Sequence, residues 1–378
     1  MSYNNFTSGI ILHLSLIEGI GFATVSRIIN KIGIENLDQL YHMNIGQLVR
    51  TIECSEIIAK KIVDGLATRT LLEQELTLLE KHPVSLITFL DPEYPELLKN
   101  IQGPPLVLYY QGILPTTYAT LAVIGSRDAH SYAQDAINRL VPPLVNHGWA
   151  IISGGARGAD TMAHRATLDA GGITVAILGS GLLRPYPYSN KNLFAEMIQK
   201  GGAVVSPFPL LMEPLAPNFP ARNRIIAGMS RGCLVVQAAV KSGARITADF
   251  CLAQGREVFA VPGPINDPLS QGCHALIQQG AKLTTDIADI VSEFGQELII
   301  PATHTLPLPG IVLQKTPATL TNSVEDKIVR ACRAPCSFDE LLELTGVPMI
   351  EITQLLFNLQ LQGKITQTMS GLWEGHKN

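Results

Sequence analysis

Ser153-Gly154-Gly155-Ala156-Arg157-Gly158-Ala159-Asp160 is the stretch on which the reading of this 378-residue chain turns. Before it, Trp149-Ala150-Ile151-Ile152 reads as a short buried strand. After it, Thr161–Ala166 begins a helical stretch that stops at Gly171-Gly172. Strand, glycine turn and helix together point free backbone N–H groups at an anion. Glycine lets the backbone approach a phosphate closely and take positive φ. Arg157 adds a guanidinium that can fork onto phosphate oxygens. The plainer reading is a tight turn, so its neighbours must decide.

Working outward, residues 119–297 alternate strands with helices, the pattern of a mostly parallel sheet covered on both faces. The expected strands are Leu121–Ile124, Trp149–Ile152, Ile173–Leu178, Ala203–Ser206, Cys233–Val236 and Val258–Val261. Ligands of such sheets sit beyond the carboxyl ends of the strands. There lie Gly125-Ser126-Arg127, the opening turn, Gly179-Ser180-Gly181, Ser206-Pro207, Gln237 with Ser242-Gly243 after it, and Pro262-Gly263-Pro264. Repeated polar and glycine residues at one edge predict a shared anion site. Phe219-Pro220-Ala221-Arg222-Asn223-Arg224 places two arginines where an apolar helix is expected to begin, a position the helix dipole disfavours without an anion. Tyr186 and Tyr188 offer rings for base stacking, with core packing expected for at least one, and Lys191 offers a cation. His164 is expected to face a polar neighbour. Asp160 is expected to cap its helix or hold an arginine.

Composition narrows the class. Apolar residues make up 46% and charged residues 16%, which describes a well-packed globular protein. No apolar run reaches 18 residues, and the N-terminus lacks the layout of a signal peptide. Six scattered cysteines without a C-x-x-C pair predict reduced thiols and a cytoplasmic setting. The net charge is −4, so any polyanion site must be local. Residues 1–115 carry 8 basic against 12 acidic side chains, 119–297 carry 14 against 13, and 321–378 carry 5 against 7. The middle segment is the electrostatic candidate. Without a G-x-x-x-x-G-K-[ST] motif, a G-x-G-x-x-G fingerprint or a spaced His/Cys/carboxylate set, no cofactor and no metal are expected.

The flanks read differently. Residues 1–82 form a helical segment in which Ile17-Glu18-Gly19-Ile20-Gly21 has the form of a helix–hairpin–helix turn. Its turn amides can meet a phosphate, but the acidic balance favours a packing role. Residues 298–321, rich in Pro and Thr, read as a linker. In residues 322–378, a helix over Val324–Cys332, a capping box from Ser337, a helix over Met349–Leu361 and a hairpin over Ile365–Glu374 make a winged helix-turn-helix pattern. The Met349–Leu361 helix carries no Lys or Arg. A protein-binding or regulatory role is therefore expected rather than duplex binding.

Taken together, the G-S-R, S-G-G-A-R-G-A-D, F-P-A-R-N-R-I-I-A-G and S-G-A-R-I-T-A blocks, with Tyr186-Pro187 and Gly255–Gly263, resemble the DNA-processing protein A family (DprA, also called Smf), in order over about residues 84–291. The resemblance implies an extended Rossmann-like domain over 84–297 that binds single-stranded DNA, dimerises, and helps load the RecA recombinase during natural transformation and homologous recombination, without catalysis. It implies phosphate contacts at Arg127, Gly155, Arg222, Arg224, Ser242 and Gly243. With the residues read directly, the candidate phosphate-binding set is Gly125, Ser126, Arg127, Gly154, Gly155, Arg157, Gly158, Lys191, Arg222, Asn223, Arg224, Ser242 and Gly243. Gln237, Pro207 and Ala159 depart from the family's usual residues. The alternative is a nucleotide or nucleoside-phosphate hydrolase on a related fold. Those phosphoribohydrolases carry a glycine-rich signature ending in a catalytic Glu, and no such Glu follows Gly243.

Overall fold

The computed structural model describes residues 6–295 and most of 324–375. The chain divides into two compact units, Met1–Thr303 and His304–Asn378. The first opens with helices α1 (Phe6–Ser15), α2 (Phe22–Ile32), α3 (Ile45–Ile52), α4 (Glu56–Ala67) and α5 (Thr70–Lys81). There follow β1 (Ser85–Thr88), α6 (Glu96–Lys99), β2 (Val107–Gly112), β3 (Ala119–Ile124), α7 (Ser131–Asn146), β4 (Trp149–Ser153), α8 (Ala159–Asp169), β5 (Thr174–Ile177) and α9 (Lys191–Gln199). The unit continues through β6 (Ala203–Ser206), α10 (Asn218–Gly228), β7 (Gly232–Val235), α11 (Gly243–Ala253), β8 (Glu257–Ala260), α12 (Gln271–Gln278), β9 (Lys282–Leu283) and α13 (Ile287–Val291). All six strands expected in the middle segment form.

Nine strands make one sheet in the order β1-β2-β6-β5-β4-β3-β7-β8-β9. From β6 to β9 every pairing is parallel; β2 pairs antiparallel with β6, and β1 with β2. The strands β3 to β6 advance towards one edge. The chain then returns to place β7 on the other side of β3 and runs on to β9 at the opposite edge. The order therefore reverses between β3 and β7, where a crevice opens beyond the strand ends.

Strand alternation explains the two apolar layers. Leu121 and Val123 of β3 face one core with Ile137, Leu140 and Leu144 of α7, Ile151 and Phe259. Ala122 and Ile124 face the other, which continues through Ile177 and Ile225 into the N-terminal helices at Leu14, Ile28 and Leu48. The N-terminal helices thus share a hydrophobic core with the sheet. At this junction Glu75 of α5 is buried and accepts the Leu210 N–H at 3.1 Å. Burial raises its pKa.

In the second unit, described by itself, α14 (Val324–Ala331), α15 (Phe338–Thr345) and the hairpin of β10 (Ile365–Gln367) with β11 (Trp373–Gly375) enclose Ile328, Cys332, Leu341 and Leu356. Ser337 and Glu340 form the expected capping box, and Gly346, at φ 66°, ends α15. The expected 298–321 linker, most of the 349–361 helix and the Ser370-Gly371 turn lie outside the described residues.

Candidate functional site

The loops after β3, β4 and β7 and the first turns of α10 and α11 border a cleft of about 420 Å³ at the reversal of strand order. Gly125, Ser126 and Arg127 line it from β3, Ala156 and Asp160 from β4–α8, Lys241, Ser242 and Gly243 from β7–α11, and Phe219, Arg222 and Asn223 from α10. A recess beside it is lined by Arg127, Gly154, Ala156, Arg157, Tyr186, Pro187, Phe219 and Arg222.

The glycines have steric reasons to be there. Gly155 and Gly158 take φ of 64° and 75°, a region that side chains disfavour. A Cβ at Gly158 would run into the Ser126 and Arg127 carbonyls, and one at Gly125 would come within 2.6 Å of Ala159 Cβ. The turn is then pinned from outside. Asn190 donates to Gly155 O at 2.9 Å and Thr161 donates to Ala156 O at 2.7 Å. Asp160 accepts the Ala156 N–H at 3.2 Å.

The three cations around the recess differ in environment. Arg127 and Arg157 are exposed. Arg222 is 5% exposed, and its Nε is buried without a hydrogen-bond partner among the described residues. Burial lowers the Arg222 pKa to about 10, opposed by Asp160 and reinforced by Arg127, so the group remains cationic at neutral pH. Desolvation raises the pKa of buried Asp160, and the Arg222 charge opposes that rise. Among the described residues, no carbonyl or carboxylate accepts a hydrogen bond from Arg127, Arg157 or Arg222. The Phe219 ring has Arg127 Cζ at 5.3 Å and Arg222 Cζ at 5.9 Å from its centroid, with Tyr186 packed edge-on at 5.9 Å.

Several expected roles change on this geometry. The helix α10 starts at Asn218, four residues before Arg222, so neither arginine stands at its N-terminus. Arg224 does not reach the cleft: its Nη1 donates to Gln102 O at 2.8 Å and to Gly103 O. Neither tyrosine packs in the core, with Tyr186 44% and Tyr188 74% exposed. Lys191 opens α9 beside Tyr188, 5.6 Å from its ring centroid, and lines neither the cleft nor the recess. Gly181 and Ser206 pack on the 208–212 segment instead of the cleft, with Gly181 N donating to Met212 O and Ser206 Oγ to Ser180 O at 2.8 Å, while Gly179 lies beneath the Phe219 ring. His164 is buried, 2.7 Å from Thr174 Oγ1. Burial drives its pKa down to about 3, so it is neutral.

Asn223 donates to Gly243 O at 3.3 Å and fastens α10 to the α11 turn, where the buried Ser242 Oγ has no partner among the described residues. Sequence reasoning named the F-P-A-R-N-R block but left Phe219 and Lys241 out of the phosphate set. It also missed Asn190 as a loop anchor. Phe219 was findable as the aromatic beside two arginines; nothing local marks Asn190, which acts across 35 residues of sequence.

A doubly wound sheet whose switch-point cleft has glycine walls and arginines that find no acceptor among the described residues defines an anion-binding α/β protein. The model of the DNA recombination-mediator protein A family matches residues 85–295, and the chain belongs to that family. It is 40% identical over 310 residues to Protein Smf of Escherichia coli, covering 80% of each chain. It is 43% identical over 208 residues to DNA processing protein DprA of Streptococcus pneumoniae, covering 55% of this chain and 73% of that one. The X-ray structure of DprA from Streptococcus pneumoniae superposes with a TM-score of 0.64 at 33% identity, over 75% of this chain and 95% of that one. A DNA processing protein A structure from Helicobacter pylori, described for its single-stranded DNA binding mode, gives a TM-score of 0.50 at 26% identity, over 56% and 95%.

Proposed function

We propose that the chain binds single-stranded DNA along the switch-point cleft, protects it, and hands it to a RecA-type recombinase during transformation and recombination. The carrying observation is the convergence of Arg127, Arg157 and Arg222 on one recess with no hydrogen-bond acceptor for any of them among the described residues. Arg127 and Arg222 repel each other in the free protein. A phosphate between them turns that repulsion into charge-assisted hydrogen bonding. Phe219 and Tyr186 at the same recess offer rings on which an unpaired base can stack, which a duplex would not supply. The Helicobacter pylori relative, whose structure concerns single-stranded DNA, supports the reading.

We read the protein as a binder and not an enzyme. The two carboxylates lining the cleft are Asp128 and Asp160. Asp160 is occupied by the Ala156 N–H and by the Arg222 charge. A cytoplasmic homodimer whose C-terminal unit contacts protein completes the proposal. No helix among the described residues is long and apolar enough to cross a membrane. Fluorescence anisotropy with labelled oligothymidylate and the matching duplex tests the central claim. The single strand is expected to bind about tenfold tighter or more, a preference of at least about 1.4 kcal/mol. Equal affinity for both would overturn it.

A further inference from the structure

We infer that Gln237 is a positioning residue for Arg127, clamping both ends of the loop that carries its guanidinium to the cleft; this rests on the phosphate reading above. Gln237 lies just past the end of β7 and is fully buried, a place where parallel strands ordinarily carry an apolar side chain. A buried amide is costly unless its donors and acceptors are matched, and here the oxygen takes a backbone N–H and the nitrogen donates to a carboxylate. The Gln237 carbonyl accepts the Ser126 N–H at 2.7 Å. Its side-chain Oε1 accepts the His130 N–H at 3.2 Å. One residue thus holds both sides of Arg127, at positions 126 and 130. Because Oε1 takes a backbone N–H, the amide nitrogen must point the other way. It lies 3.1 Å from Asp267 Oδ2 and 2.9 Å from His130 Nε2.

Asp267 is itself fixed. It accepts the Leu269 N–H at 2.9 Å and faces Ser270 Oγ at 3.3 Å and His130 Nε2 at 3.1 Å. Ala238 N donates to Leu269 O at 2.6 Å, which locks the 267–270 segment onto the end of β7. Arg127 has no comparable restraint of its own. Among the described residues no acceptor binds its guanidinium, which lies over the Phe219 ring. Its position therefore follows from its backbone, which Gln237 holds at residues 126 and 130 while Ala159 N–H donates to Ser126 O at 3.1 Å and Asp128 N–H to Ser126 Oγ at 3.1 Å. A loop left loose would have to be ordered by each phosphate that binds, at a cost in affinity.

The test is a double-mutant cycle in the full chain, by anisotropy with labelled oligothymidylate across a salt series, with thermal melting alongside. Gln237→Met keeps the length and the main-chain bond to Ser126, and removes the side-chain half of the clamp, at His130 and Asp267. It is expected to weaken binding about tenfold. It should also reduce the slope of log affinity against log salt by about 0.7, the loss of one single-strand phosphate contact. Arg127→Ala should do the same, and the double variant should lose little more than either alone. A merely structural role for Gln237 gives losses that add, or a wild-type salt slope in a less stable protein, and either result overturns the inference. Asp267→Asn, which keeps the shape and removes the charged acceptor, repeats the cycle should Gln237→Met fail to fold. It is expected to couple to Arg127 in the same direction, and independence sinks the inference. If Arg127→Ala binds as wild type does, the phosphate reading itself falls and takes the inference with it. If Arg127→Ala weakens binding but neither clamp variant does, the inference falls alone.

Discussion

The guanidinium of Arg222 occupies the space that a side chain on Gly154 would need: a Cβ there would overlap Nη1, lie 2.6 Å from Cζ, and come equally close to Asp160 Oδ2. The cleft arginine and the glycine turn are thus fitted to each other across 68 residues of sequence. Gly154→Ala is expected to displace Arg222 from the recess. Single-strand binding should fall by about tenfold or more, the worth of a charge-assisted contact. Overpacking should lower stability by about 1–3 kcal/mol. Anisotropy and thermal melting on one preparation check both. Unchanged binding would mean that Arg222 is not a strand contact in this position.

Arg222 and Asp160 make a pH prediction. Asp160 has its pKa raised by burial, with the Arg222 cation holding that rise in check. An acid whose folded pKa exceeds its unfolded value binds more protons folded, so stability falls as pH rises through the window between the two. Arg222→Met removes the opposing cation, raises the folded pKa further and widens the window upwards. The melting temperature of the variant should therefore drop more steeply than that of the wild type from about pH 4 towards neutrality, starting near the unfolded carboxylate value. Adding Asp160→Asn should flatten the profile and recover stability. Parallel profiles for wild type and Arg222→Met would show that the two groups are not coupled.

Arg224 should behave oppositely. It binds the carbonyls of Gln102 and Gly103, away from the cleft. Hydrogen bonds from a charged donor contribute about 1.5–3 kcal/mol, reduced where water competes. Arg224→Ala is expected to melt earlier by an amount of about that order and, once folded, to bind the single strand within about twofold of wild type, under 0.5 kcal/mol. A stable variant that has lost binding would return Arg224 to the phosphate set.

The contrast between these two arginines marks what was legible in the sequence. The six central strands, the glycine turn and the cleft's location follow from short continuous apolar runs, as in strands buried on both faces, and from glycines at strand ends. The division of labour between Arg222 and Arg224 also had a signal. On a helix of 3.6 residues per turn, positions two apart point about 200° from each other. Only one of the pair can face the cleft once α10 includes both. A helix that begins only after Arg224 hides this; Pro217 and Pro220 suggest a loop, although proline is tolerated in a first helical turn. The Gln237 clamp carried no comparable signal. His130, Gln237 and Asp267 are brought together by the order of strands β3, β7 and β8, which a linear reading does not give.

Phe219 supplies the last test, because its ring is contacted by both Arg127 and Arg222 and is only partly buried. If an unpaired base stacks on that ring, Phe219→Ala should weaken binding by about 1–3 kcal/mol, the range for base–aromatic stacking. Truncation also removes the surface that orients both guanidinium groups, so lost affinity alone does not distinguish stacking from support. A strand with abasic positions separates them. It keeps the phosphates and loses the bases. A stacking ring predicts that wild type binds the abasic strand about as weakly as Phe219→Ala binds the normal one, and that combining the two changes costs little more. A supporting ring predicts that the losses add. Phe219→Leu refines the comparison, since it restores apolar bulk without a π-face. It should recover melting temperature but not affinity for the normal strand. Full recovery of affinity with Leu would assign Phe219 to packing beneath the arginines and leave the bases to Tyr186.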